Sequence, residues 1–112
     1  MSDLQPEDAK LVTLARSARS RTGAPEGAAV RDTDGRTYLA ATVTLPSLQL
    51  SALQAAVAAA VASGADAVVA VAVAAEAPAV SDTDKELLGE VGATVALLVG
   101  PDGGVTEVPL GG

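Results

Sequence analysis

The chain contains no cysteine and no histidine among its 112 residues. Those absences exclude disulfides, thiolate or imidazole zinc sites, Ser-His-Asp triads and Cys-His dyads. Phenylalanine and tryptophan are also missing, and there is one tyrosine and one methionine. Aromatic rings supply large buried areas in most cores. Alanine, valine and leucine must do that work here, and each alanine removes little surface from water. A small domain built this way gains from burying more surface against copies of itself, so a homo-oligomer, a dimer or tetramer, is expected. Positive charge is scarce too: seven basic residues face fourteen acidic ones, for a net charge of −7. Such a surface repels nucleic-acid backbones and anionic membranes, and neither is expected as a partner. The longest apolar runs, Ala55–Ala62 and Ala67–Ala75, are too short to span a bilayer. The first ten residues, MSDLQPEDAK, are acidic and polar rather than signal-like. A soluble protein of the cytoplasm is the expectation.

Apolar residues make up 49% of the chain, enough to build a core. The length suits one domain over residues 1–112, with 1–4 and 110–112 expected to fray. The central stretch is Leu48 to Gly64, LQLSALQAAVAAAVASG. It is expected as a helix started by Pro46-Ser47 and ended by Ser63-Gly64. From Ala55 to Ala62 every residue is alanine or valine, so no face is polar and burial on several sides is expected. Leu50, Leu53, Val57 and Val61 form its stripe of larger side chains.

Around this helix the other elements fall in order. A first helix spans 5–21, with Leu11, Leu14, Ala15 and Ala18 on its apolar face, and Arg16, Arg19 and Arg21 at its end suit the helix dipole. Short strands over 27–31 and 36–45 flank an Asp32-Thr33-Asp34-Gly35 turn, a strong hairpin signal. Asp32 and Asp34 lack the continuation ending in Glu that a calcium loop needs. A third strand over 66–75 has the unbroken apolar character of a strand covered on both faces. Ser81 to Val91 reads as a third helix, with Ser81 and Asp84 spaced as a capping box and Gly92 as its stop. Strands over 93–99 and 105–108 flank a Pro101–Gly104 turn. The order α-β-β-α-β-α-β-β implies an α/β protein with a mixed five-stranded sheet between helical layers.

This order, with these segments, resembles the cytidine deaminase family from about Leu11 to Val108. Leu11-Val12-Thr13-Leu14-Ala15 is similar to the family's first helix. Glu26-Gly27-Ala28-Ala29-Val30 followed by Asp34-Gly35-Arg36-Thr37-Tyr38 resembles its VGAAV…DGxxY hairpin. Ser51-Ala52-Leu53 falls where the family has C/H-A-E at the head of its central helix. Ser81 to Glu90 falls where it has C-x-x-C-R-Q-x-L-x-E. The resemblance implies a three-layer α-β-α cytidine-deaminase-like fold.

It also implies where the chemistry would lie. The family holds zinc with three thiolate or imidazole ligands, and a glutamate beside the first ligand shuttles protons. The matching ligand positions are Ser51, Ser81 and Asp84, and the glutamate position is Leu53. Hydroxyls are poor zinc ligands, one carboxylate cannot replace three strong donors, and leucine cannot transfer a proton. The nucleoside-binding N-x-E aligns with Thr42-Val43-Thr44. No metal or other cofactor is therefore expected, and Thr42, Thr44, Ser51, Leu53, Ser81 and Asp84 are the candidate remnant pocket, with a nucleoside as its candidate ligand. Plainer roles stand beside these: Ser51 as a first-turn polar residue, Ser81 and Asp84 as a helix cap, Leu53 as core. Three functions compete. One is a non-catalytic structural, regulatory or nucleoside-binding oligomer. A second is a deaminase-type hydrolase working by an altered mechanism, with Asp84, Glu76, Tyr38, Lys85 and Lys10 as its candidate groups. The third is a protein–protein interaction module using an apolar helix face.

Overall fold

Strand β5 (Val68–Ala75) lies at the centre of the computed structural model, which describes residues 4–110. Its side chains sort by size across the sheet. Ala70, Ala72 and Ala74 face one layer, while Val68, Val71 and Val73 face the other. From Ala70 onward the alternation is the period of two that a strand imposes; an irregularity in register beside Arg31 and Asp32 sets Val68 on the valine side, and every residue of the strand but Val69 is buried. The sheet order is β2-β1-β5-β6-β7, with β1 at Glu26–Asp32, β2 at Thr37–Ala41, β6 at Val95–Val99 and β7 at Val105–Glu107. β5 and β6 run parallel, and the other three pairings are antiparallel.

On the alanine side lies α1 (Pro6–Thr22), which buries Leu11, Val12, Ala15 and Ala18 against the sheet. Pro6 occupies its first turn, Glu7 and Asp8 face the positive end of the dipole, and Gly23 closes it in the left-handed region at φ 67°. The valine side is covered by α2 (Ala52–Ala62) and α3 (Asp82–Val91). The three layers, mixed five-stranded sheet and element order are those expected.

Several details differ. The central helix starts at Ala52, not at Leu48. Leu48–Leu50 instead forms β4, which pairs antiparallel with β3 (Val43–Leu45) across a Pro46-Ser47 turn. Leu48-Gln49-Leu50 alternates as well as it spirals, and proline serves a turn as readily as a helix start. What fixes the start is Ser51: its backbone is extended and its hydroxyl accepts from the Gln54 N–H at 3.0 Å. The Gln54 side chain returns to the Ser51 N–H at 2.9 Å, completing a capping box. The second strand expected over 36–45 breaks at Thr42, whose N–H and hydroxyl both bond to the backbone of Glu26. Nor is α2 buried all round. Ala58, Ala59 and Ala62 are exposed, and Val61 is 56% exposed. Of the expected ends, Leu4 and Leu110 are half-buried against the two core clusters, whereas 1–3 and 111–112 lie outside the described residues.

Gly27 sets how closely α1 approaches the sheet. A Cβ there would collide with the Ala15 carbonyl oxygen and come within 2.5 Å of the Arg19 amide nitrogen. Both are helix backbone and cannot swing aside, unlike the tip of a side chain. Gly27→Ala should therefore cost at least about 2 kcal/mol, toward the upper part of the range for overpacked cores. Urea denaturation checks this, and an unchanged midpoint would mean that α1 lifts off the sheet without penalty.

Candidate functional site

The starts of α2 and α3 meet. Ser51 and Ser81 are their N-caps, and each hydroxyl accepts from the N–H of the residue three places on. Ser81 takes the Asp84 N–H at 3.1 Å, but the reciprocal half of the expected capping box does not form. The Asp84 carboxylate turns instead toward the other helix and accepts from the Ser51 hydroxyl at 3.1 Å. Asp84 is only 8% exposed. A carboxylate so placed is stabilised by the dipole of its own helix and by the hydrogen bond from the neighbouring cap.

A second carboxylate reaches the same helix start. Glu26, the first residue of β1, accepts from the Ala52 N–H at 3.3 Å. Its backbone holds Thr42, so Ser81, Asp84, Ser51, Glu26 and Thr42 form one connected polar chain. Glu26 was not among the sequence candidates, because its partner lies 26 positions away and no local spacing signals it. Thr44 stays outside: it sits exposed on β3, across from Gln49. Leu53 points into the core between α2 and the sheet, 1% exposed, among Ala28, Val71 and Val73.

The other candidate groups are dispersed. Tyr38 donates to Asp32 at 3.1 Å within the β1–β2 hairpin. Burial pushes the Tyr38 hydroxyl up from its ordinary value, and its bond to Asp32 adds to the shift. For Asp32, burial acts against ionisation, but the Arg36 N–H, the Tyr38 hydroxyl and the Asp34 N–H together hold its carboxyl below the usual value. That carboxylate is taken up by its own turn. Glu76 and Lys10 belong to the α1 side of the sheet, Glu76 through an ion pair with Arg19 and Lys10 on α1 itself. Lys85 is exposed beside Asp84.

A family model described as cytidine deaminase-like matches residues 4–104. The chain belongs to the cytidine deaminase-like family. Among solved structures, cytidine deaminase from Burkholderia pseudomallei superposes with a TM-score of 0.80 at 23% identity, over 96% of this chain and 92% of that one. The cytidine deaminase from Mycobacterium leprae gives 0.65 at 25% identity, over 88% of this chain and 91% of that one. A mutant of the Mycobacterium tuberculosis cytidine deaminase gives 0.66 at 25% identity, over 83% and 84%. No curated protein matches.

Family membership raises the question of zinc, and the residues present do not fit it. Of the three positions that the resemblance assigns to ligands, two carry hydroxyls already engaged with helix N–H groups. The third, Asp84, is held by one of those hydroxyls. Among the described residues no cluster of three or more histidine, cysteine, aspartate or glutamate side chains could hold a metal ion. With neutral hydroxyls and a single carboxylate, the donor set lacks the charge and softness that zinc selects.

Leu53 tests how tightly this region is packed. Leu53→Ala should destabilise by about 2–5 kcal/mol, the span for leucine in a filled core. Leu53→Glu should also lower the melting temperature, because it buries a carboxylate without a partner. A Leu53→Glu protein melting at the wild-type temperature would show that water reaches this position.

Proposed function

We propose that this member of the cytidine deaminase-like family has lost zinc and the deamination reaction, and persists as a non-catalytic homo-oligomer with a structural or nucleoside-binding role. The observation that carries the proposal is the closure of Ser51, Asp84 and Ser81 on one another and on the helix N–H groups. Donors that satisfy each other leave nothing to polarise a water molecule. Leu53, at the position that the resemblance gives to the proton-shuttling glutamate, supports the same reading. The altered-mechanism hydrolase has no comparable support, since Tyr38, Glu76 and Lys10 lie away from Asp84 in separate parts of the fold. On this reading the remnant site is Thr42, Ser51, Leu53, Ser81 and Asp84, with Glu26 added, while Thr44 lies outside it on β3.

Purified protein is expected to carry far less than one zinc per chain by elemental analysis, and to release no ammonia from cytidine beyond a Leu53→Ala control. One zinc per chain after dialysis, or ammonia above that control, would overturn the loss of chemistry. Calorimetric titration with cytidine then separates the two roles. Heat that saturates near one equivalent assigns nucleoside binding, and its absence assigns a structural role.

Support for an oligomer comes from the outer face of α2. Val61 is exposed beside an apolar groove of about 460 Å³ between α2 and α3, lined by Leu50, Val57, Val61 and Leu87 with Glu86 and Glu90 at its margin. Leu45 and Leu48, on the two sides of the β3–β4 turn, are the other large exposed apolar side chains among the described residues. Apolar surface of this kind gains from closed symmetric burial. Light scattering coupled to size exclusion should give a dimer or tetramer. A mass near 10.9 kDa across micromolar dilutions would refute the oligomer.

A further inference from the structure

A separate cleft lies on the α1 side of the sheet. It opens between the last two turns of α1 and the turn after β6, at the carboxyl ends of the parallel strands β5 and β6. Open α/β sheets offer ligand sites in that position. The cleft has a volume of about 360 Å³ and is lined by Arg16, Arg19, Ser20, Gly23, Gly100 and Pro101.

Its charge is out of keeping with the rest of the chain. Fourteen carboxylates are available to seven cations, yet the Arg16 guanidinium makes no hydrogen bond or ion pair among the described residues, and neither does the Ser20 hydroxyl. Arg19 pairs only with Glu76, at 3.7 Å, and the Glu76 side chain is 80% exposed. The nearby Asp102 turns its carboxylate back onto the Gly104 N–H at 2.8 Å. The dipole of α1 accounts for Arg19 and Arg21, which lie in its last turn. It does not account for Arg16, because the effect fades within one turn of the helix end. The Arg16 guanidinium is held against the turn instead: a Cβ on Gly103 would stand 3.1 Å from its Nη1.

We propose that this cleft binds the phosphate group of a small soluble phosphate ester, with Arg16 and Arg19 as its charged donors and Ser20 as its neutral one. Two guanidinium groups and a hydroxyl on adjacent turns of one helix suit a tetrahedral dianion. The net charge of −7 disfavours extended polyanions while leaving a local site for a small one. Glu76 acts as the competitor, holding Arg19 until phosphate displaces it.

Isothermal titration with inorganic phosphate and with ribose 5-phosphate, in a dilute chloride buffer, tests the assignment. Both should bind saturably, one per chain. Arg16→Gln should weaken binding about tenfold, the usual loss for one charge-assisted bond. Glu76→Gln should tighten it, which a purely structural role for the Arg19 pair does not produce. Arg21→Gln, which removes the same charge from the same helix outside the cleft, should leave it unchanged. Melting curves confirm that each variant is folded. Absence of saturable binding at millimolar ligand, or equal losses from Arg16→Gln and Arg21→Gln, would overturn the site. So would flotation with phosphatidic acid vesicles that ribose 5-phosphate fails to compete, because the ligand would then be a membrane surface.

Discussion

Alanine at 70, 72 and 74 leaves one side of β5 nearly flat, and the position of α1 depends on that flatness. Over β5 and β1 only Ala29, the β5 alanines and Gly27 lie beneath it, so the helix descends until its backbone meets β1 at Gly27, while Leu97 and Val99 of β6 fill the space beside it. Dispersion falls steeply with separation, so close approach over small side chains recovers part of what larger residues would supply by area. Valine on the opposite side of the same strand presents branched side chains to α2, and Leu53 and Leu88 pack among them. A core without phenylalanine or tryptophan is thereby close-packed on both sides, by approach on one and by branched side chains on the other.

The α2–α3 junction follows from the same need to leave no buried polar group without a partner. Each helix begins with N–H groups that no turn of its own satisfies. Ser51, Glu26 and Ser81 answer them, and Asp84 links the two starts across 33 positions of sequence. Family resemblance places a metal among these positions, where it would tie the same two helices. Here hydrogen bonds do that tying. Removing either partner of the Ser51–Asp84 bond would strand the other in a site with little water, at a cost in stability.

Elements whose signals are local were legible in the sequence. The unbroken apolar run of β5, the turn at Asp32–Gly35 and the glycine after α3 each declare themselves within a few residues, and the structure places them where they were expected. Where the start of α2 is concerned, two local signals competed. Pro46-Ser47 and Ser51 are both plausible helix starts, and Leu48 and Leu50 fit either periodicity. Pairing of β4 with β3 decided the matter, and strand pairing is a tertiary fact. The candidate site divides the same way. Ser81 as a cap follows from its spacing to Asp84, but the direction of the Asp84 carboxylate depends on a helix 33 positions earlier. Glu26 carries no local mark at all.

Six residues of chain between β5 and α3 connect the two sides of the molecule. Glu76 leaves the strand and turns toward Arg19 on α1, while Ser81 closes the segment by capping α3 on the opposite layer. Between them Pro78 restricts the backbone, so the segment is short and partly pre-set. The carboxyl ends of the parallel strands β5 and β6 supply, on either face, the geometry that lets loops gather ligand-binding groups. Positive charge differs between the two sides: Arg16 and Arg19 line the cleft on one, and exposed Lys85 follows Asp84 on the other. An anion and a neutral nucleoside would therefore be drawn to opposite faces of the same strand end, and the 76–81 segment is one of the stretches of chain that join those faces.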